Sequence, residues 1–84
     1  MWVVLYVLAV SNSNAPPHAE VNVLPYFEGF VWETQEQCEK ELLAAYAKPK
    51  FFEGYSLKKS DGRIVLISET VYSFEKIHCT KIGD

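Results

Sequence analysis

No lysine or arginine occurs before Lys40, so residues 1–39 of this 84-residue chain have only Glu20, Glu28, Glu33, Glu36 and Glu39 for formal charge. The later Lys48, Lys50, Lys58, Lys59, Arg63, Lys76 and Lys81 are interleaved with acids along the sequence, and the net charge is −3. Phosphate recognition needs a basic face, so no nucleic-acid partner is expected. Glycine is equally sparse. Gly29, Gly54, Gly62 and Gly83 stand alone, which excludes a glycine-rich phosphate loop. No apolar stretch approaches the ~20 residues that a membrane-spanning helix needs. Neither a Ser/His/Asp set nor a paired-histidine helix motif can be written, so catalysis is the minority expectation, a site assembled between two subunits being one form it could take. Cys38 and Cys79 are the two cysteines, with no Cys-x-x-Cys between them, which argues against a dithiol redox centre.

What is present is an ordinary globular composition, 49% hydrophobic and 23% charged. That balance excludes a disordered chain. Residues 1–84 read as a single domain of a size that buries only about 60–65% of its unfolded surface, so a staple or a partner is expected to support it. Residues 2–10 are β-branched, aliphatic or aromatic on both alternating faces. Val3, Leu5, Val7 and Ala9 point one way and Trp2, Val4, Tyr6, Leu8 and Val10 the other, the pattern of a strand covered on both sides. The run followed by Ser13-Asn14-Ala15 has the outline of a signal peptide. However, no basic residue precedes it and Pro16 would follow the cleaved bond, so it is read as a first strand and a cytoplasmic protein is favoured over an exported one.

Residues 11–20, with Asn12, Asn14, Pro16 and Pro17, read as a loop. Val21, Val23, Phe27 and the aromatics that follow read as a second strand, bent at Pro25 and ended by Thr34. Thr34 caps a helix in which Gln37 completes a capping box, Glu36 suits the dipole, and Cys38, Leu42, Ala45 and Tyr46 share one face before Pro49 stops it. Residues 55–60 and 63–68 form a hairpin across Asp61-Gly62, with Leu57 opposite Leu66 and Lys59 opposite Ile64. That register places Tyr55, Leu57, Ile64 and Leu66 on one face. Residues 71–82 supply either the end of a long bent strand or one strand more. The expected fold is α+β, a small curved antiparallel sheet in the order β-β-α-β-β, or with that extra strand, and one helix packed on one face. One helix covers one face only. The other apolar face needs either the aromatic arm of residues 26–32 or a second subunit, and a homodimer is expected.

Joining Cys38 to Cys79 would close a loop of about forty residues and stabilise the fold by ~3–4 kcal/mol in the chain-entropy model. Two buried free thiols are the equal alternative, with the redox compartment deciding between them. His78 and Cys79 are neighbours on a strand and face opposite ways, so no metal site and no cofactor are expected. Two echoes bracket the helix, Tyr26-Phe27-Glu28-Gly29-Phe30 and Phe51-Phe52-Glu53-Gly54-Tyr55. They read first as bends that supply core aromatics. The sharper reading is a cleft for a sugar or an amine, lined by Tyr26, Phe30, Trp32, Phe52 and Tyr55 with Glu28 and Glu53 as its polar groups.

The segment Phe30-Val31-Trp32-Glu33-Thr34-Gln35-Glu36-Gln37-Cys38-Glu39-Lys40-Glu41-Leu42, with an apolar Trp-led strand before it and the late Cys79, resembles small uncharacterised bacterial and phage proteins. Those open with a similar strand and then show an aromatic, a Ser or Thr cap and a cysteine in the first helical turn. The resemblance covers about a third of the chain. It implies a one-helix α+β fold, often with the helix cysteine bonded to a late one, and it brings no activity. This chain lacks the basic leader that exported examples carry. The expected function is an accessory or interaction module that self-associates. Its alternatives are a small-molecule-binding or enzymatic domain using the aromatic cleft, and an exported disulfide-stapled structural protein.

Overall fold

The computed structural model describes residues 1–12, 15–23, 27–48 and 52–83. In chain order the elements are β1 (Trp2–Asn12), β2 (Ala15–Val23), α1 (Gln35–Tyr46), β3 (Ser56–Ser60), β4 (Arg63–Glu69) and β5 (Ser73–Lys81). The strands form one open antiparallel sheet in the order β2-β1-β5-β4-β3, so the fold is α+β. β1 is paired on both sides, from Leu5↔Val23 to Val10↔His18 with β2 and from Trp2↔Lys81 to Val10↔Ser73 with β5. Pairing along both edges makes β1 an interior strand, but α1 covers only one of its two apolar faces, so the expected cover on the second face is not found among the described residues. The Ile82 amide extends the β1–β5 pairing by donating to the Met1 carbonyl at 2.8 Å.

β2 and β3 lie at opposite edges, so the chain leaving β2 must cross the sheet before β3 can begin. α1 lies on that crossing and packs on β1 and β5. Its start is fixed locally. The Thr34 hydroxyl accepts from the Gln37 amide at 3.1 Å, and the Gln37 side chain accepts in return from the Thr34 amide at 3.3 Å and the Glu33 amide at 3.1 Å. Cys38, Leu42 and Ala45 are the buried stripe of the helix, set against Val4, Leu66, Ile77 and Cys79 of the sheet and closed by Phe27 and Phe52. Burying side chains such as Leu42 and Leu66 stabilises the fold by roughly 1.5–3 kcal/mol each.

The β3–β4 hairpin has the expected register, with Leu57↔Leu66 and Lys59↔Ile64. Asp61 and Gly62 both take positive φ, 52° and 74°, as a type I′ turn requires. Of the residues expected to be inside, Leu66 is fully buried and Ile64 nearly so, while Leu57 is 43% exposed on the edge strand.

The second strand is not where the sequence pattern puts it. The stretch read as a loop, residues 11–20, belongs largely to β1 and β2, and the strand ends at Val23 instead of running on to Thr34. The reason lies in the sheet order. β2 is an edge strand, where the missing N–H groups of Pro16 and Pro17 need not break a ladder, and the register shifts between Val10 and Asn12 just opposite them. Pro25, the expected bend, lies outside the described residues, as do Tyr26 and Pro49. Phe27 starts a tight turn in which the Phe30 amide donates to the Phe27 carbonyl at 3.0 Å. Trp32 pairs with Trp2 as an isolated bridge, through hydrogen bonds of 2.7 and 2.9 Å. Phe27 and Trp32 thus join the helix-side core and do not cover the opposite face. β5 is a separate strand, because the turn after Glu69 is held by the Thr70 hydroxyl, which accepts from the Ser73 amide at 3.0 Å. The order is therefore β-β-α-β-β-β, with the helix set apart from β2 by the aromatic turn.

Candidate functional site

Strand alternation divides the side chains cleanly. Val4, Tyr6, Leu66, Ile77 and Cys79 point toward α1, so Leu5, Val7 and Ala9 of β1, Val21 and Val23 of β2, Val65 and Ile67 of β4, and Phe74, Lys76 and His78 of β5 point to the other face. Among the described residues no element lies across that face. Val21 and Val23 are 59% and 40% exposed, next to the half-buried Leu5 and Val7 in the same cross-sheet rows. Two cross-sheet rows define the surface. One runs Val23, Leu5, His78, Val65, Lys58 and the next runs Val21, Val7, Lys76, Ile67, Ser56.

Cations therefore occupy the middle of an apolar surface and one of its margins. Ser60, Asp61, Arg63, Val65, Lys76 and His78 line a shallow hollow of about 380 Å³ there. Lys58, Arg63 and Lys76 form no ion pair with any described residue. Burial depresses the His78 imidazole below its ordinary pKa; its hydrogen-bonding distance to the Cys79 carbonyl, 3.2 Å from Nδ1, opposes this, and the nearby Lys76 and Arg63 reinforce it. The linear interleaving of these cations with acids hides the patch. Only the β3–β4–β5 meander brings positions 58, 63 and 76 onto one face, and with β5 left undecided between two readings the sequence had no register from which to find it.

The helix side carries the other polar group. The Tyr6 hydroxyl donates to the Glu75 carboxylate in a short hydrogen bond. Burial first, and then Glu75, raise the Tyr6 hydroxyl well above the usual phenol range and push Tyr55 up to about 12. Tyr46 donates to the Tyr55 carbonyl at 3.3 Å, and Glu39 accepts from Gln35 at 3.1 Å and from the Ile64 amide at 3.0 Å. These contacts tie α1 and the segment before β3 to the sheet.

The residues expected to line a cleft fall into two sets. Phe30 stacks on Trp32 with ring centroids 6.2 Å apart, and the pair lines a hollow of about 250 Å³ with Phe27 and Glu41. Phe52 meets Tyr55 edge-on at 5.8 Å within the core cluster. Glu28 and Glu53 are exposed, and Tyr26 lies outside the described residues. Each echo places one buried aromatic, Phe27 or Phe52, in the same core. Cys38 and Cys79 are joined in a disulfide, buried, with their Cα atoms 6.2 Å apart. His78 projects from the opposite face of β5, and no three His, Cys, Asp or Glu side chains converge among the described residues. No helix among the described residues is long and apolar enough to cross a membrane.

Compared with protein-family models, with curated proteins and with solved structures, the chain matches none.

Proposed function

We propose that this protein is a non-catalytic interaction module that self-associates through the β2 edge and the apolar end of the open face. The observation that carries this reading is the exposure of Val21 and Val23 on an edge strand. Sheet edges are ordinarily blunted by lysine, proline or short strands. β3 follows that rule, with five residues including Lys58 and Lys59. β2 has nine residues; its prolines guard only the start, and Glu20 is the one charge between Ala19 and Val23. Antiparallel pairing of two β2 edges would satisfy free backbone groups and bring the valines of both copies together.

Sedimentation velocity at tens of micromolar tests this. The wild type should run as a dimer and Val21→Lys as a folded monomer. Val4→Asp is the contrasting control, since a fully buried residue on the helix side should unfold the chain instead of merely separating subunits. A monomeric wild type, or an unaltered dimer in Val21→Lys, would remove the basis for self-association.

A second reading, an exported stapled module, is favoured by the Cys38–Cys79 disulfide, the redox form that oxidising compartments maintain. Alkylating unreduced, denatured protein from its native host and weighing it decides the point, because two alkylated thiols would place the working protein in a reducing compartment.

A further inference from the structure

We infer that the open sheet face docks an acidic amphipathic helix of a protein partner, seated across β1 and β5 with carboxylates over Lys76 and its neighbouring cations. This rests on reading that face as an interaction surface but is independent of self-association. The first support is geometric. On the opposite side a twelve-residue helix lies on β1 and β5, and on this side the same two strands have no cover among the described residues.

The second support is the placement of charge. β5 is the middle strand, so Lys76 and His78 sit at the centre of the face, with the half-buried Leu5 and Val7 to one side and the half-buried Ile67 to the other, where Val65 is already buried, 8% exposed. A purely apolar cover would bury Lys76 without a counter-charge, which is strongly unfavourable. A cover that supplies carboxylates there and leucine-like side chains on either flank satisfies both halves of the surface. Lys58 and Arg63 at the margin, which have no ion-pair partner among the described residues, extend the same demand.

Charge also argues against the other occupants. An anionic bilayer favours an apolar centre with cations confined to the rim, whereas here Lys76 lies at the centre of the face, where insertion among acyl chains would leave its charge unpaired. A second copy laid face to face about a two-fold axis would set the unpaired cations of one face against those of the other. A small ligand would gain little enclosure on so open a surface.

The probe is a labelled helical peptide of about sixteen residues, roughly 24 Å long. It carries leucines at helical spacing flanking a pair of glutamates, and its twin has lysines in place of the glutamates. Fluorescence anisotropy should show the glutamate peptide binding at least about tenfold tighter than the lysine twin, a difference of about 1.4 kcal/mol. Lys76→Glu should reverse that preference, and added salt should weaken the glutamate complex. Circular dichroism checks that the variant is folded. Should it not be, the exposed-margin variant Lys58→Glu takes its place, and a loss of several-fold is expected.

Equal binding of the two peptides, or no effect of either folded variant, would overturn the inference. So would co-sedimentation with vesicles of phosphatidylcholine containing roughly one part in four phosphatidylserine that exceeds peptide binding, since the face would then be a lipid surface. Self-association is read separately by sedimentation of the protein alone, so either proposal can fail while the other stands.

Discussion

His78 is the side chain whose protonation the fold resists. It is half-buried on the open face beside Lys76 and Arg63, and its folded pKa lies below the ordinary imidazole value of about 6.5. Above that value folded and unfolded chains both hold it neutral, and its full contribution to stability is present. As pH falls below about 6.5 the unfolded chain takes up a proton that the folded one does not, so stability declines until pH passes the lower folded value. Thermal melts at about pH 7 and about pH 5 should therefore show a larger loss in wild type than in His78→Gln; equal losses would mean that the imidazole is not constrained by its setting. The Tyr6 hydroxyl makes the opposite kind of contribution. It donates to Glu75 from a partly buried site, so Tyr6→Phe removes a charge-assisted hydrogen bond without changing the ring. The expected loss is about 1–2 kcal/mol by urea denaturation. No loss would mean that the carboxylate finds water as readily as it finds the phenol.

Among the elements, α1 and the β3–β4 hairpin are those whose endings are decided by their own residues. Thr34→Ala removes the oxygen that accepts from the Gln37 amide and leaves that amide unpaired, while the reciprocal bond, from the Thr34 backbone amide to the Gln37 side chain, keeps both its partners. A loss of about 1 kcal/mol with an unchanged denaturant slope is expected, and a changed slope would show that the cap also orders the unfolded chain. These elements were legible in the sequence for the same reason that they are easily perturbed. Thr34 with Gln37 and Asp61 with Gly62 specify geometry within four residues. β2 was legible only at its end, Val21 and Val23, because Pro16 and Pro17 mark a loop unless the strand happens to lie at an edge, and that is a property of the whole sheet. The cation patch escaped for a related cause, since Lys58, Arg63 and Lys76 share a face only after three strands have been placed in register. The cysteine contact was visible as a possibility, Cys38 being on the apolar stripe, but the residues alone gave no means of choosing between bonded and free thiols.

The molecule as a whole is a sheet whose central strand is anchored to its only described helix by one covalent bond. Cys79 lies next to Val4 across the β1–β5 pairing, and Cys38 reaches it from the first turns of α1. The bond spans 41 positions and encloses β3, β4 and most of β5, so it restricts the unfolded chain over half its length. The chain-entropy model gives about 4 kcal/mol for a loop of this size. Cores of domains near this size supply only a few kcal/mol of net stability, so a contribution of about 4 kcal/mol is comparable with the whole. Reduction is a cleaner test than substitution, because replacing two fully buried cysteines would also leave a void under Leu42 and Val4. With protein concentration held fixed, so that the proposed self-association cannot move the midpoint between samples, complete reduction should lower Tm by about 15 °C or more. The extent of reduction is checked by thiol titration in the same sample. A fully reduced protein that melts with the oxidised one would show that β1–β5 pairing and the helix-side core hold α1 in place unaided, and the disulfide would then be a consequence of the fold and not one of its supports.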